Sequence, residues 1–396
     1  MPANKPPFDG EWVKVAEVFN LQMGKTPSRK KMEYWNTGEY DWVSIKDLGS
    51  YGRFVGRTKE TISELGRIES GIKQVPANTL LMSFKLSLGK TSITTRPIYT
   101  NEAIMAFLDK GTFQFDLGYM WHQFRTKDWA TGTNMAVMGE TLNKKTLGSA
   151  LIRLPDLRTQ RLVASCLDVI QSQLEIAGKK LECLDTLVKS RFVEMFGDPA
   201  ENTMNWDLIG LASLGSCKNG MNFKSKESGI ELPCLGVGDF KDRSFINGVS
   251  EMGRVHLDAM PAEGYFLKDG DIVFVRSNGN KKLVGRCLAV FPNGEKAVYS
   301  GFCIRLRVES DRVRIPYLIW ALRHPSMRRQ LFGRGANVQN LNQKLMAKVK
   351  IPAPPLSEQD RFLTFVAEVD KSRFIIQQKI EKLQTLYDSL AQEYFG

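Results

Sequence analysis

The chain has 396 residues, a length that corresponds to two or three domains of ordinary size. Its hydrophobic share of 42% is enough to fill packed cores, which excludes a chain disordered throughout. With 55 Lys and Arg against 43 Asp and Glu the formal charge is +12, a balance that favours a polyanionic partner, although a soluble protein that is merely basic has the same composition.

Met1 to Trp12 mixes polar residues with three prolines and lacks the basic flank and apolar core of a secretory signal. No apolar run of about 18 residues follows, so no membrane span is expected and the cytoplasm is the expected compartment. Residues 1–156 have the texture of a globule, in which β-branched and aromatic runs such as Tyr40 to Ile45 and Thr79 to Phe84 alternate with Gly, Asn and Pro. Trp35 and Trp42 stand in apolar patterns and are expected in its core rather than as stacking platforms. Lys25, Thr26, Ser28, Arg29, Lys30 and Lys31 form a basic loop punctuated by Gly24 and Pro27, and Lys144 and Lys145 beside Asn143 form a second basic cluster.

Residues 157–197 change period. Apolar residues recur at alternating steps of four and three through Val163, Leu167, Ile170, Leu174, Ala177, Leu181, Leu184 and Val188, until Arg191 interrupts them. A spacing of about 3.5 held over several heptads is that of a coiled-coil seam. The alternative, an amphipathic helix lying on its own globule, tolerates a wider and less regular stripe. Gly197, Asp198 and Pro199 read as a left-handed cap and a stop.

Residues 198–355 return to globular texture, with the runs Asp271 to Val275 and Gly301 to Val308 and a further expected core residue, Trp206. Arg276, Ser277, Asn278, Asn280, Lys281 and Lys282 form a basic, amide-rich loop, and Asn337, Gln339 and Asn340 a second amide cluster. Residues 356–396 are a second helix, with Ser357 as the expected N-cap after Pro352, Pro354 and Pro355. Its seam runs through Phe362, Val366, Val369, Ile376, Ile380, Leu383, Tyr387 and Leu390, broken at Arg373.

The two helices are a repeat. Gln160 and Gln359, Lys180 and Lys379, and Glu182 and Glu381 share an offset of 199, which continues without a gap to Gly197 and Gly396. The chain order is globule, helix, globule, helix. The expected fold class is α+β: two mixed α/β domains joined by two long helices that form an antiparallel coiled coil, with a pseudo-twofold relation between the halves. At about 1.5 Å per residue each helix is on the order of 50 Å long. Read-out patches at the ends of such a rod would lie roughly one to one-and-a-half turns of duplex DNA apart. The target expected from this geometry is split, with an unread spacer, and the dissimilarity of the globules implies unlike half-sites.

The basic loops are the candidate duplex contacts. Lys25, Thr26, Ser28, Arg29, Lys30, Lys31, Asn143, Lys144 and Lys145 suit phosphates, as do Ser277, Asn280, Lys281 and Lys282. Arg276, Asn278, Asn337, Gln339 and Asn340 suit base edges, because Arg reads guanine and Asn or Gln reads adenine with two hydrogen bonds. Each charge run also reads as a solvated face, and Asn340 also reads as a helix cap. No catalytic or metal site is expected. His122, His256 and His324 are isolated, and Cys166, Cys183, Cys217, Cys234, Cys287 and Cys303 include no C-x-x-C pair. Gly24-Lys25-Thr26 and Gly89-Lys90-Thr91 end like phosphate-binding loops, but Phe19 and Phe84 stand where the first glycine belongs.

Several segments carry a family likeness in order: GKTPS from Gly24 to Ser28 followed by Tyr34 and Trp35, YDWVSIKDL from Tyr40 to Leu48, and NEAI from Asn101 to Ile104. In the second half they are GDIVFVRS from Gly270 to Ser277 with Gly279, GANVQNL from Gly335 to Leu341, and IPAPPLSEQ from Ile351 to Gln359. Over essentially its full length the chain resembles the specificity subunit of a type I restriction-modification system. Arg158 and Thr159 stand where Ser357 and Glu358 precede the second glutamine, a departure that leaves Asp156 as the expected cap of the first helix. The resemblance implies target-recognition domains at 1–156 and 198–355 and spacer helices at 157–197 and 356–396. It implies no cofactor in this chain. Two modification subunits would bring S-adenosylmethionine, flip the base and methylate adenine, and restriction subunits would bring ATP and magnesium and cut double-stranded DNA. The rival reading is a non-catalytic coiled-coil scaffold that joins two protein-binding modules and does not bind DNA.

Overall fold

The computed structural model describes residues 10–85, 87–129, 142–223, 229–240, 243–280, 282–331 and 340–396. The chain divides into two compact units, Met1–Lys179 with Ile376–Gly396, and Lys180–Ile375. Each holds one globule and one half of each long helix.

The strands of unit 1 are β1 (Glu11–Lys14), β2 (Phe19–Met23), β3 (Trp35–Val43), β4 (Glu60–Ile62), β5 (Leu80–Ser83), β6 (Thr91–Ile93), β7 (Tyr99–Thr100), β8 (Ile104–Asp109) and β9 (Leu151–Leu154). Its globular helices are α1 (Val15–Val18), α2 (Ile45–Leu48), α3 (Glu64–Ser70), α4 (Leu117–Thr126) and α5 (Lys144–Ser149). They form sheets in the orders β2-β8-β5-β6, β4-β3-β7 and β1-β9. The central strands β5 and β8 read LLMS and IMAFLD and are buried almost throughout, as a strand covered on both faces must be. Phe19, Phe107 and Phe124 meet edge to face beneath them. Trp42 and Trp35 are buried in a second cluster, and each indole N–H reaches a carbonyl.

Unit 2 opens with the end of α6 (Leu157–Phe196). Its strands are β10 (Leu208–Gly210), β11 (Gly215–Asn219), β12 (Ile230–Leu235), β13 (Phe245–Asn247), β14 (Gly253–Leu257), β15 (Asp271–Val275), β16 (Cys287–Phe291), β17 (Val298–Tyr299), β18 (Cys303–Val308) and β19 (Lys350–Pro352). Its helices are α7 (Ile315–Arg323), α8 (Pro325–Leu331), α9 (Gln343–Met346) and the first half of α10 (Leu356–Phe395). The sheets run β11-β18-β15-β16-β13, β14-β12-β17 and β10-β19. With β13 set aside this is the topology of unit 1, strand for strand. Trp206 is half-buried rather than a core residue. It lies in the link between α6 and β10, where Asn202 holds both its N–H and its carbonyl, at 3.0 and 2.8 Å.

The ends of α6 and α10 follow from their sequence. Asp156 caps α6 by accepting the N–H groups of Arg158 and Thr159 at 2.9 and 3.0 Å, and Gly197 ends it at φ 71°. In α10 the expected Ser357 cap is replaced. The helix begins at Leu356, and the Pro355 carbonyl takes the N–H groups of Glu358 and Gln359, because the proline is already set at a helical φ.

Within unit 1, Val163, Leu167 and Ile170 share one core with Tyr387, Ala391 and Phe395, while Leu174, Leu383 and Leu390 lie partly buried beside them. Asp168 and Tyr387 meet the same imidazole and Gln173 meets Lys379, so the helix halves run antiparallel. Within unit 2, Val188, Phe192, Phe362 and Val369 are buried together, with Leu184 and Val366 against them. Leu181, Ile376 and Ile380 are half-buried. Arg373, the break in the seam, is ion-paired with Asp185 at 2.5 Å and Asp370 at 3.1 Å. Near the globules the buried positions drift from the 3.5-residue spacing onto Phe192, Ala391 and Phe395. There each helix covers its globule as well as its partner helix, and the stripe widens.

Candidate nucleic-acid interface

In both units the same strand ends converge. In unit 1 the Gly24 N–H donates to the Ile104 carbonyl at 3.1 Å and the Lys25 N–H to Thr100 at 2.8 Å. A side chain at Gly24 would collide with the carbonyls of Thr100 and Asn101, which explains the glycine. The Phe84 N–H donates to Ala103 at 3.0 Å, and the Phe84 carbonyl accepts from Leu142 at 3.1 Å. In unit 2 Gly220 bonds Cys303, Met221 bonds Tyr299, Arg276 bonds Phe302, and Leu341 bonds Arg276, at 2.8–3.1 Å. A side chain at Gly220 would meet the carbonyl of Ser300 in the same way. The loop after β2 or β11, the turn before β8 or β18, the loop after β5 or β15 and the chain just before α5 or α9 therefore share one end of each globule.

The structure divides the Lys25–Lys31 cluster. Lys25 is exposed at this end, and Thr26 donates to Glu102 and accepts from Asn101 at 3.0 Å. Arg29 lies over the rings of Trp35 and Trp42, at 3.7 and 5.0 Å from their centroids, and pairs with Glu60. Lys31 pairs with Glu69 and bonds Tyr34. The hydrogen bond to Glu69 raises the Lys31 pKa, and the same bond lowers that of Glu69. Two of the expected phosphate contacts are thus already neutralised. Ser28 and Lys30 are exposed, and Lys30 has no carboxylate partner among the described residues.

Asn143 is the cap of α5, its side chain accepting from Lys145 and Thr146 at 2.9 Å each. Asn342 does the same for α9, so the cap lies two residues beyond Asn340, which is exposed and bridges to Ser277. Lys144 and Lys145 open onto a separate cleft with Lys14 and Lys110 at the Phe19 end of β2, away from Lys25.

In unit 2, Arg276 donates to the Gly301 carbonyl at 3.2 Å. The Asn278 side chain accepts the Asn280 N–H at 2.8 Å, and that of Asn280 the Lys282 N–H at 3.0 Å. These consecutive turns shape the loop and leave each amide its two N–H donors and a second lone pair. Lys282 is exposed. Lys281, Asn337 and Gln339 lie outside the described residues.

Sequence patterns missed two buried polar groups that hold the globules to the helices. Gln160 bonds the carbonyls of Pro155 and Gln114 and accepts from Asp116 at 2.8 Å. Gln359 bonds those of Pro354 and Arg312 and accepts from Arg314 at 2.7 Å. Both are at most 1% exposed. Their repeated identity is the signal that could have found this role. The second group lies in unit 1. His122 is fully buried between the Tyr387 hydroxyl at 2.8 Å and Asp168 at 2.7 Å, and both oxygens of Asp168 also accept from the Arg53 guanidinium, at 2.8 and 2.7 Å. Burial lowers the His122 pKa despite the carboxylate. Burial alone would raise that of Asp168, but the bonds from His122 and Arg53 outweigh it and hold the group ionised. A sealed imidazole reaches no substrate, so the network positions α4 on the helices.

A family model described as the type I restriction modification DNA specificity domain matches residues 8–185 and again 205–385. The type I restriction enzyme StySPI specificity subunit of Salmonella potsdam is 26% identical over 260 residues, covering 61% of this chain and 55% of that protein. The MjaIX specificity subunit of Methanocaldococcus jannaschii is 23% identical over 303 residues, covering 70% and 68%. The chain thus spans about half the length of the first relative and two thirds of the second. Among solved structures, one reported for complex assembly and conformational transition of the type I R-M system matches 99% of both chains with a TM-score of 0.66 and 16% identity. The S subunit from M. genitalium matches 99% of this chain and 98% of its own with a TM-score of 0.51 and 14% identity.

Proposed function

Since the chain belongs to the family of type I restriction-modification DNA specificity domains and carries the domain twice, we propose that it is the recognition subunit of such a complex and reads a bipartite, asymmetric duplex target. The observation that carries this reading is one fold used twice with different chemistry at the same end. Unit 1 presents Lys25, Thr26 and Asn101 there, and unit 2 presents Arg276, Asn278 and Asn340. Equivalent folds dock equivalently on the two strands, and unlike loops read unlike half-sites. The family favours this over a scaffold that ignores DNA.

The chain itself is non-catalytic and works in the cytoplasm, where the DNA is. Two modification subunits supply S-adenosylmethionine and methylate adenine, and restriction subunits supply ATP-driven, magnesium-dependent cleavage. Support for two copies of one partner comes from the helices. Glu182 and Glu381, Thr186 and Thr385, and Leu187 and Leu386 are identical between the repeats although all six side chains are exposed. Packing within this chain does not account for that identity, whereas a surface bound once per repeat does. The test is modified-base sequencing of DNA from cells that make this chain with a type I modification subunit, beside cells without it. A new methylated-adenine motif in two unlike parts with a fixed gap is expected. An assembled complex that leaves no motif would refute the reading.

A further inference from the structure

The two basic loops that composition singles out are not counterparts. Lys25 to Lys31 follows β2, whose equivalent in unit 2 is β11, whereas Arg276 to Lys282 links β15 to β16, whose equivalents in unit 1 are β5 and β6. The register is unambiguous. Ser83 N–H bonds the Lys90 carbonyl at 2.9 Å and Gly89 N–H bonds Ser83 at 3.0 Å; Val275 N–H bonds Arg286 at 2.8 Å and Gly285 N–H bonds Val275 at 2.9 Å. Gly89 and Gly285 both have positive φ, 78° and 72°, at this matching place. Lys90 thus stands where unit 2 has Arg286, and Lys85 follows Phe84 where Ser277 follows Arg276.

The surroundings of the unit 1 hairpin suit an anion. Its return arm borders a cleft of ≈ 280 Å³ lined by Lys90, Arg125, Tyr51, Trp121 and Gln171, with no carboxylate in the lining among the described residues. Lys90 is exposed and Lys85 half-buried, and neither has a carboxylate partner among the described residues, whereas Arg29 and Lys31 are each tied to a glutamate. Arg125 is held to Gln171 at 3.1 Å and is otherwise directed by the Trp121 ring.

Resting on the DNA-recognition reading above, we propose that the β5–β6 hairpin is the DNA-reading element of unit 1, with Lys85 and Ser87 at base edges and Lys90 with Arg125 on a backbone phosphate. Lysine and serine both reach groove edges, and two cations in a cleft with no carboxylate among its described lining residues suit a phosphate contact. The hairpin is shorter than its counterpart, and its tip chemistry differs, so one structural element yields two different half-sites.

The experiment uses the complex assembled with its modification subunits. Duplex binding is measured over a salt series, and the methylated motif is read by sequencing, for wild type, Lys85→Gln with Ser87→Ala, Lys90→Ala, Arg125→Ala and, as the unit 2 comparison, Arg276→Ala. The expected results are these: the Lys85/Ser87 variant relaxes one half-site by on the order of tenfold in discrimination, and Arg276→Ala relaxes the other. Lys90→Ala and Arg125→Ala weaken all sequences alike and lower the salt slope by about one each. If Arg276→Ala relaxes its half-site while the hairpin variants keep both half-sites and the full salt slope, the hairpin assignment is overturned and the recognition reading stands. If the wild-type complex binds no duplex selectively, the recognition reading falls, and the hairpin with it.

Discussion

Gln359→Leu tests whether the glutamine at the head of each helix is what fixes a globule in place. Leucine keeps most of the volume and removes all three bonds, leaving the carbonyls of Pro354 and Arg312 and the N–H of Arg314 without their partner. At a net contribution of about 1 kcal/mol per hydrogen bond the loss is about 3 kcal/mol. For a unit of this size that corresponds to a fall of roughly 6–12 °C in melting temperature. Gln160→Leu removes the equivalent bonds to Pro155, Gln114 and Asp116. Hydrogen exchange followed by mass spectrometry on the full chain reads the two units separately. For Gln359→Leu, faster exchange is expected in α7, β19 and the first turns of α10, with α4, β9 and the start of α6 unchanged; Gln160→Leu should give the reverse. Equal loosening of both units by either variant, or a melting shift below about 2 °C, would refute the clamp.

Two further outcomes follow from single contacts. The His122 pKa is lowered by burial, so its contribution to stability is present above the unfolded value of about 6.5 and is lost as pH falls below it; unit 1 protection factors, taken relative to the intrinsic exchange rate at each pH, should fall between pH 7 and 5.5 in wild type and much less in His122→Gln, and parallel profiles would count against the assignment. Asn143→Ala should cost about 1 kcal/mol through the lost cap of α5, with Asn143→Asp restoring it; if the aspartate variant is as unstable as the alanine one in thermal melts, the side chain is not acting as a cap.

The helices were legible because their signal is one-dimensional. A seam needs an apolar residue every three or four positions, and a repeat needs only a constant offset, so Val163 to Val188 and Phe362 to Leu390 announce both before any folding. Near the globules the same rule ran out. Phe192, Ala391 and Phe395 are buried because a helix covered on two sides obeys two partners at once. The core tryptophans Trp35 and Trp42 were readable from apolar pattern, whereas Trp206 stands in a similar pattern and is half-exposed, because burial depends on what the next segment brings over it.

Charge clusters were the least readable part. Composition marks Arg29 and Lys31 as free cations, yet Glu60 and Glu69, far along the chain, fold back to neutralise them. Lys85 has nothing in its local sequence to set it apart and the Gly89-Lys90-Thr91 string lacks the first glycine of a phosphate-binding loop, so only strand pairing makes the hairpin that carries both the counterpart of Arg276 to Arg286. Propensity, periodicity and motif spacing act along the chain, so the order of the segments, the two long helices, their repeat and the family are legible before folding. Which loops are equivalent, which cations are neutralised and how Gln160, Gln359 and His122 are sealed emerge only on folding, because contacts between residues far apart in the chain set those outcomes.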